Sequence, residues 1–519
     1  MKIISRFILI ALLLPLVSMA QYTNVMITDQ NNPCEPSIFV DPSNTNRIIA
    51  GTIIDRYAYS DDGGYTWTQG RLTSSHGVWG DPCLLVDTAG DLYYLHLSNP
   101  AVGNWIDRIV CQKSSDNGQT WSDGSYTFLN GTKAQDKQWG VFNRADNSLH
   151  VTWTQFDDYG TSNPADSSLI LYARSDDTGL SWNPAIRLSQ RAGDCVDSDN
   201  TVEGAVPAIG PNNEVYVSWV GPLGLMFDRS LDGGNTWMQN DTQLLDIPGG
   251  WDFNIPGINR CNGFPITVCD LSGGPNHGTI YISWADQRNG SSDTDIWLIK
   301  STDGGNTWSD MKRVNDDEPG KQQFFHWMAI DQVTGHLWFV FYDRRNYTNN
   351  QTDVYCAVSK DAGETYRNFR ISESPFIPTS SIFFGDYSCI SVHDNVVRPI
   401  WTRLHSNKLS VWTAIIDGLT VGQTDIVDEM SPRLEQNYPN PFTSKSAFSF
   451  KLHKPARVSL IIYDLFGREV ARLIDNQYMT ELRNVIEYDN ASYGLKPGVY
   501  YQGLISNEKM MKRKIVIAE

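Results

Sequence analysis

Metal-ligand spacings are missing from this chain. Its nine histidines and eight cysteines include neither a His-x-x-x-His pair nor a Cys-x-x-Cys, which excludes the usual zinc patterns. Cationic residues are scarce over most of its length: residues 21–430 carry 26 Lys and Arg against 50 Asp and Glu. That balance argues against nucleic acid and other polyanions as diffuse electrostatic partners. Charged residues make up only 19% of the chain, beside 41 Gly, 17 Trp and 23 Tyr, a composition suited to a large all-β body with many tight turns. Beyond residue 20 no apolar run is long enough to predict a transmembrane helix. The stretch 7–17 is apolar but short. It follows Lys2 and Arg6 and precedes Ser18-Met19-Ala20, so residues 1–20 read as a secretory signal peptide and the mature chain as exported.

Against these absences stands one insistent repeat, Ser-x-Asp-x-Gly-x-Thr/Ser-Trp/Tyr. It occurs at 60–67 (SDDGGYTW), 114–121 (SSDNGQTW), 175–182 (SDDTGLSW), 230–237 (SLDGGNTW), 301–308 (STDGGNTW) and 359–366 (SKDAGETY). The spacing suits one propeller blade plus variable loops. Chemically it is a hairpin turn: the Asp accepts backbone N–H groups and the Gly supplies a positive φ. The pattern resembles the Asp box of the sialidase superfamily. The resemblance implies a β-propeller with the boxes on its rim, and it says little about the reaction.

Innermost strands are predicted to begin at Glu35, Asp81, Lys137, Glu203, Gly263, Gln323 and Asp386, which gives seven inner strands against six boxes. The seventh unit, 386–416, has no box. Residues 23–29 (TNVMITD) are expected to supply its outer strand, closing the ring and removing an open sheet edge. Residues 21–418 therefore read as a seven-bladed propeller, with six blades as the alternative count.

The last 89 residues differ in character. Residues 431–519 hold 13 Lys and Arg against nine Asp and Glu, with no box and no Cys. Alternating apolar residues between Gly and Pro turns predict a small antiparallel β-sandwich after a linker at 419–430. The sequences YPNPF, YDLFGREV, GLKPGVYY and the basic final strand KRKIVI resemble the type A C-terminal sorting domain of the Bacteroidetes type IX secretion system. This implies Sec export, passage through the type IX machinery, and a secreted or surface-attached product. An accessory glycan-binding sandwich is the alternative.

Candidate chemistry is expected on the face opposite the boxes. Inner-strand starts bring Glu35, His76, Asp81, Asp136, Glu203, His326, Asp386 and Tyr387 there. The loops between second and third strands bring Arg56, Arg108, Asp286, Arg288, Asp343, Arg345, Arg403 and His405. The sialidase resemblance implies Tyr387 as nucleophile, Glu203 as its base and Asp81 as acid/base. It also implies Arg288 and Arg345 on a substrate carboxylate, and Arg403 and Asp386 join them as substrate-binding candidates. The first inner strand departs from that family, with Glu35-Pro36-Ser37-Ile38 where a carboxylate-binding Arg is required. Sialic acid itself is therefore an unpromising substrate. Alternative readings make Asp286–Arg288 and Asp343–Arg345 repeated structural ion pairs, Tyr387 a core aromatic and the histidines surface residues. No cofactor is predicted. The Asp-rich loop 289–295 (NGSSDTD) offers oxygen ligands for Ca²⁺, against a solvated turn. Cys111 and Cys356 read as buried hydrophobes, while Cys195 and Cys261 could bridge. Two functions follow: a secreted glycoside hydrolase-like propeller acting on extracellular glycans, or a non-catalytic propeller that binds glycan or protein.

Overall fold

The computed structural model describes residues 22–417 and, in the C-terminal segment, 433–434, 437, 439–452, 455–464, 467–480, 483–506 and 509–518. The expected signal peptide and linker lie outside the described residues. Two compact units divide after Gly418. Apart from one 3-10 turn at Asn490–Ser492, the regular structure among the described residues is all strand.

The first unit contains seven four-stranded antiparallel sheets. Six are meanders running from Ser37–Val40 to Thr68–Arg71 (blade 1), Cys83–Val86 to Ser125–Tyr126 (blade 2), Ala134–Asn143 to Ile186–Arg187 (blade 3), Glu203–Ile209 to Thr242–Leu245 (blade 4), Ile266–Cys269 to Lys312–Arg313 (blade 5) and Gln323–Ile330 to Arg367–Arg370 (blade 6). In blade 7, Cys389–His393, Val396–His405 and Lys408–Asp417 are joined by Thr23–Thr28 from the other end of the unit. Thr23 pairs with Ile415 and Val25 with Thr413, so the expected closing strand covers the edge of the last sheet. The seven innermost strands touch in cyclic order, blade 7 meeting blade 1. Second strands are buried on both faces between neighbouring blades. This is why they read as continuous apolar runs and why Trp153, Trp219, Trp284, Trp338 and Trp401 are at most 1% exposed.

All six repeats make the same turn. In the fifth, Ser301 Oγ donates to Asp303 Oδ1 (2.8 Å) and accepts from Gly305 N (2.8 Å). Thr307 donates its N–H to Asp303 Oδ1 (2.9 Å) and its hydroxyl to Oδ2 (2.7 Å). The glycine also touches the preceding blade. A Cβ on Gly305 would lie 2.7 Å from the Phe227 ring of blade 4, and one on Gly179 would lie 3.1 Å from Cys111 Sγ of blade 2. The residue three places before one box is thus where the next box lands, which accounts for the burial of Cys111. Cys356 is fully buried as well.

The second unit is a sandwich. One sheet orders Arg433–Leu434, Lys445–Lys451 and Arg483–Asp489. The other orders Glu469–Met479, Ala456–Tyr463, Gly498–Ser506 and Lys509–Ile517. Phe448, Phe450, Leu460, Ile462, Leu504 and Ile515 share its core. All eight cysteines are free and buried, so the expectation that Cys195 and Cys261 could bridge is not met.

Candidate functional site at the propeller mouth

Inner strands all start at one end of the ring, and the loops from second to third strands return there. The six turns lie at the other end. Aligning inner strands by their ladder partners (Ser37↔Gly51, Cys83↔Leu95, Trp139↔Thr152, Val206↔Ser218, Trp327↔Val340, Cys389↔Ile400) places Glu35, Asp81, Lys137, Gly204, Phe325 and Tyr387 at one equivalent position, two residues upstream. Five of these have positive φ: Glu35 (50°), Asp81 (52°), Lys137 (51°), Gly204 (76°) and Phe325 (48°). Asp136, Glu203 and Asp386 stand one residue further upstream. One repeated backbone kink therefore gathers charged side chains at the mouth. Non-glycine residues held in this conformation are costly and concentrate at functional sites.

Lys137 is the hub. Its Nζ lies 3.1 Å from Asp81 Oδ2, 3.0 Å from Asp386 Oδ2 and 4.0 Å from Asp136 Oδ1. Arg260, in the connection between blades 4 and 5, donates Nε to Asp386 Oδ1 (2.7 Å) and an NH1 hydrogen to Asp197 Oδ2 (2.9 Å). The Tyr159 hydroxyl donates to that same Asp197 oxygen (2.7 Å). Glu35, Asp81, Asp136, Lys137, Glu203 and Asp386 are all less than a tenth exposed. Both carboxyl oxygens of Glu203, and Oε1 of Glu35, are buried without a hydrogen-bond partner among the described residues.

Burial and charge separate these acids. Desolvation, then the charges of Asp197 and Asp136, hold Glu203 well above the usual carboxylate range. Desolvation and the neighbouring Asp81 and Asp386 raise Glu35 likewise. Asp136 is pushed up to about 7, mainly by burial. For Asp386 burial opposes ionisation, but Lys137 and Arg260 outweigh it and keep the group anionic. Burial also opposes the Lys137 charge, yet four carboxylates raise its pKa. Burial thus favours the neutral form of Glu203 and Glu35, while the cations favour the ionised form of Asp386.

An aromatic layer adjoins the cluster. The Tyr387 ring is 5.9 Å from Trp139 and 6.5 Å from Trp327, and Trp139 lies 5.8 Å from Trp327. These three also line a largely apolar cavity of about 790 Å³ that follows the inner strands. The charged residues of the mouth cluster do not line it.

The sequence-predicted residues fare unequally. Glu203, Asp81 and Asp386 join the cluster. Tyr387 stands beside it, 7% exposed, with its hydroxyl raised by burial and by Asp81 and Glu35. It makes no bond to Glu203, so the nucleophile–base couple is not formed. The three arginines are elsewhere. Arg288 Nε is held by Asp286 (2.9 and 3.0 Å) and its guanidinium lies over Trp297, reaching Met311 near the outer strand of blade 5. Arg345 is held by Asp343 (2.8 Å), lies over Tyr355 and reaches Asn368 in the outer strand of blade 6. Arg403 lies over Trp412 and bonds Ser374. Arg288 and Arg345 thus sit in the repeated ion pairs of the alternative reading, and Arg403 stacks within its own blade. His326 is buried and bonds Ser283 Oγ (3.0 Å), against the expectation of a surface residue. Asp295, in the acidic loop, accepts from Asn289, Arg313 and Asn315. Sequence reasoning missed Lys137, Asp197 and Arg260. Only Lys137 had a signal, its register with Glu35 and Asp81.

A closed ring of four-stranded sheets with a charged mouth defines the first unit as a β-propeller. Residues 436–518 match the secretion system C-terminal sorting domain. That segment is a sorting domain of the type IX route, so the product is released or held at the cell surface, and no helix among the described residues is long and apolar enough to cross a membrane. No curated protein matches the chain. Similar solved structures include a protein of unknown function from Dyadobacter fermentans (12% identity, 77% of this chain and 98% of that one, TM-score 0.44). The NanB sialidase of Streptococcus pneumoniae (10%, 72% and 84%, 0.43) and the α-L-arabinanase of Penicillium chrysogenum (17%, 66% and 99%, 0.41) are also similar.

Proposed function

We propose that this exported propeller acts on an extracellular glycan at its mouth, and that the glycan is neutral or amine-bearing. The observation that carries this is the convergence of Asp81, Asp136 and Asp386 within 4.0 Å of Lys137 from separate strand starts, with Glu35 buried close to the charges of Asp81 and Asp386, and Glu203 close to that of Asp136. Such a concentration of carboxylates disfavours an anionic sugar and suits glycoside hydrolysis, in which one protonated and one ionised carboxyl flank the bond. Glu203 would give its proton to the leaving glycosidic oxygen. Asp386, held anionic by Lys137 and Arg260, or its neighbour Asp81 would steady the developing positive charge or activate water. A sialidase-type mechanism is not favoured, because Tyr387 makes no bond to Glu203 and Arg288, Arg345 and Arg403 are held within their own blades.

The test is turnover and binding by the purified protein on a panel of neutral, amino and sialylated glycans. Glu203→Gln should lower turnover by about 10²–10⁴-fold, the usual worth of a general acid, with binding kept, while Tyr387→Phe should remain active. Turnover confined to sialosides, or lost in Y387F, would sink the proposal. The burial of the carboxylates favours one second reading, a non-catalytic glycan-binding propeller. Binding by the parent with no turnover on any glycan would select it.

A further inference from the structure

Beside the mouth, blade 2 carries an aromatic shelf that the cluster does not need. Trp79 stands just before the inner strand, and Trp105 lies in the loop between the second and third strands. They are 38% and 44% exposed and pack edge to face at 6.2 Å. Trp105 meets Tyr159 edge to face at 5.6 Å, and Tyr159 bonds the Asp197 that Arg260 ties to Asp386. An unbroken path of contacts therefore runs from the cluster through the blade 3 loop to blade 2. At that exposure, part of each indole is open to solvent.

The shelf is also held in place. Trp79 N donates to Leu97 O (2.9 Å), Asn99 N to His76 O (3.0 Å) and Ile106 N to Ser98 O (3.0 Å). Asp107 accepts from Asn104 N (3.1 Å), Ser98 Oγ (2.9 Å) and Arg108 Nε (2.8 Å). Large exposed indoles fixed on bonded loops are unusual on a surface that has no ligand. Fixing them beforehand lowers the entropic cost of binding.

Resting on the reading of the mouth as a glycan site, we infer that Trp79 and Trp105 form an outer subsite for a neutral polysaccharide. Sugar rings stack on the indole faces while one end of the chain reaches the carboxylates. The ligand is thus a polymer several sugars long, and a disaccharide fills the mouth alone.

The experiment is affinity electrophoresis of the full-length protein in gels carrying arabinan or galactomannan, with titration by the matching disaccharide. Trp79→Ala and Trp105→Ala should each weaken polymer binding by about tenfold, the scale of one aromatic contact, and leave disaccharide binding unchanged. W79F and W105F should bind nearly as the parent does. Iodide quenching of the parent's tryptophan fluorescence gives a readout without substitution: polymer should shield it and disaccharide should not. Equal polymer binding by parent and alanine variants, or polymer binding without shielding, overturns the subsite and leaves the mouth reading standing. No binding of any glycan by the parent overturns both.

Discussion

At the scale of single residues, the mouth is a problem of buried charge. Lys137 is the one cation within 4 Å of Asp81, Asp136 and Asp386 together among the described residues. Removing one partner of a buried pair leaves charges uncompensated at a cost of about 3–5 kcal/mol. Lys137→Met is therefore expected to lower stability at pH 8 by that order, and by less at pH 5, where the carboxyls can take up protons. Denaturant midpoints at the two pH values measure this; an unchanged midpoint would remove the hub from the account. Asp136 has the opposite sign to a typical surface acid. Its folded pKa of about 7 lies above the unfolded value near 4, so the native state binds more protons between those limits. Its contribution is full below about pH 4 and is lost as pH rises to 7. Asp136→Asn should flatten the decline in stability between pH 5 and pH 8, and parallel curves for parent and variant would contradict it. The turn aspartates act in the other direction. Asp116 and Asp232, held down to about 2 first by the hydroxyls of Thr120 and Thr236, lose their contribution as pH falls from about 4 to 2.

At the scale of elements, what could be read in advance divides by range. The six turns were legible because each is built from eight consecutive residues whose hydrogen bonds close on themselves. The closing strand was legible because residues 23–29 repeat the alternation of other outer strands. Lys137 and Arg260 were not, since a charged residue before an apolar strand looks solvated until ring closure places it against its partners. For the arginines the alternative reading, a repeated structural ion pair, was the legible one. Asp286 and Asp343, two residues before Arg288 and Arg345, captured them locally, and local pairing outweighed the longer reach to the mouth. The turns also staple each blade to the one before it. Gly305 has φ +87° and no room for a Cβ beside Phe227, whereas Gly273, at φ +75°, has nothing within 4 Å. Gly305→Ala should cost about 1–3 kcal/mol through crowding and conformation together. Gly273→Ala carries the conformational part alone and should cost less. Thermal unfolding of the two variants decides, and equal losses would mean that the inter-blade contact contributes nothing.

At the scale of the whole molecule, the chain joins an acidic ring to a basic sandwich, and the sheet topology says which needs the other. Every propeller sheet has its four strands from within 22–417, and the last edge is covered by Thr23–Thr28. Among the described residues, each blade is complete without a strand from the sorting domain. The sandwich likewise draws its core from its own residues, Leu434 to Ile517. Truncation after Gly418 should therefore leave the ring folded, with strand circular dichroism retained and a melting temperature within a few degrees of the ring transition in the full chain. Delivery should fail, because the address lies in residues 436–518. In a host with type IX secretion, the truncated protein should collect in the periplasm, shielded from protease added to intact cells. The full chain should instead appear in the medium or become protease-accessible at the surface. Surface delivery of the truncated form would show that the address lies in the ring. A truncated ring that aggregates would show that the sandwich supports it, despite the completeness of its sheets.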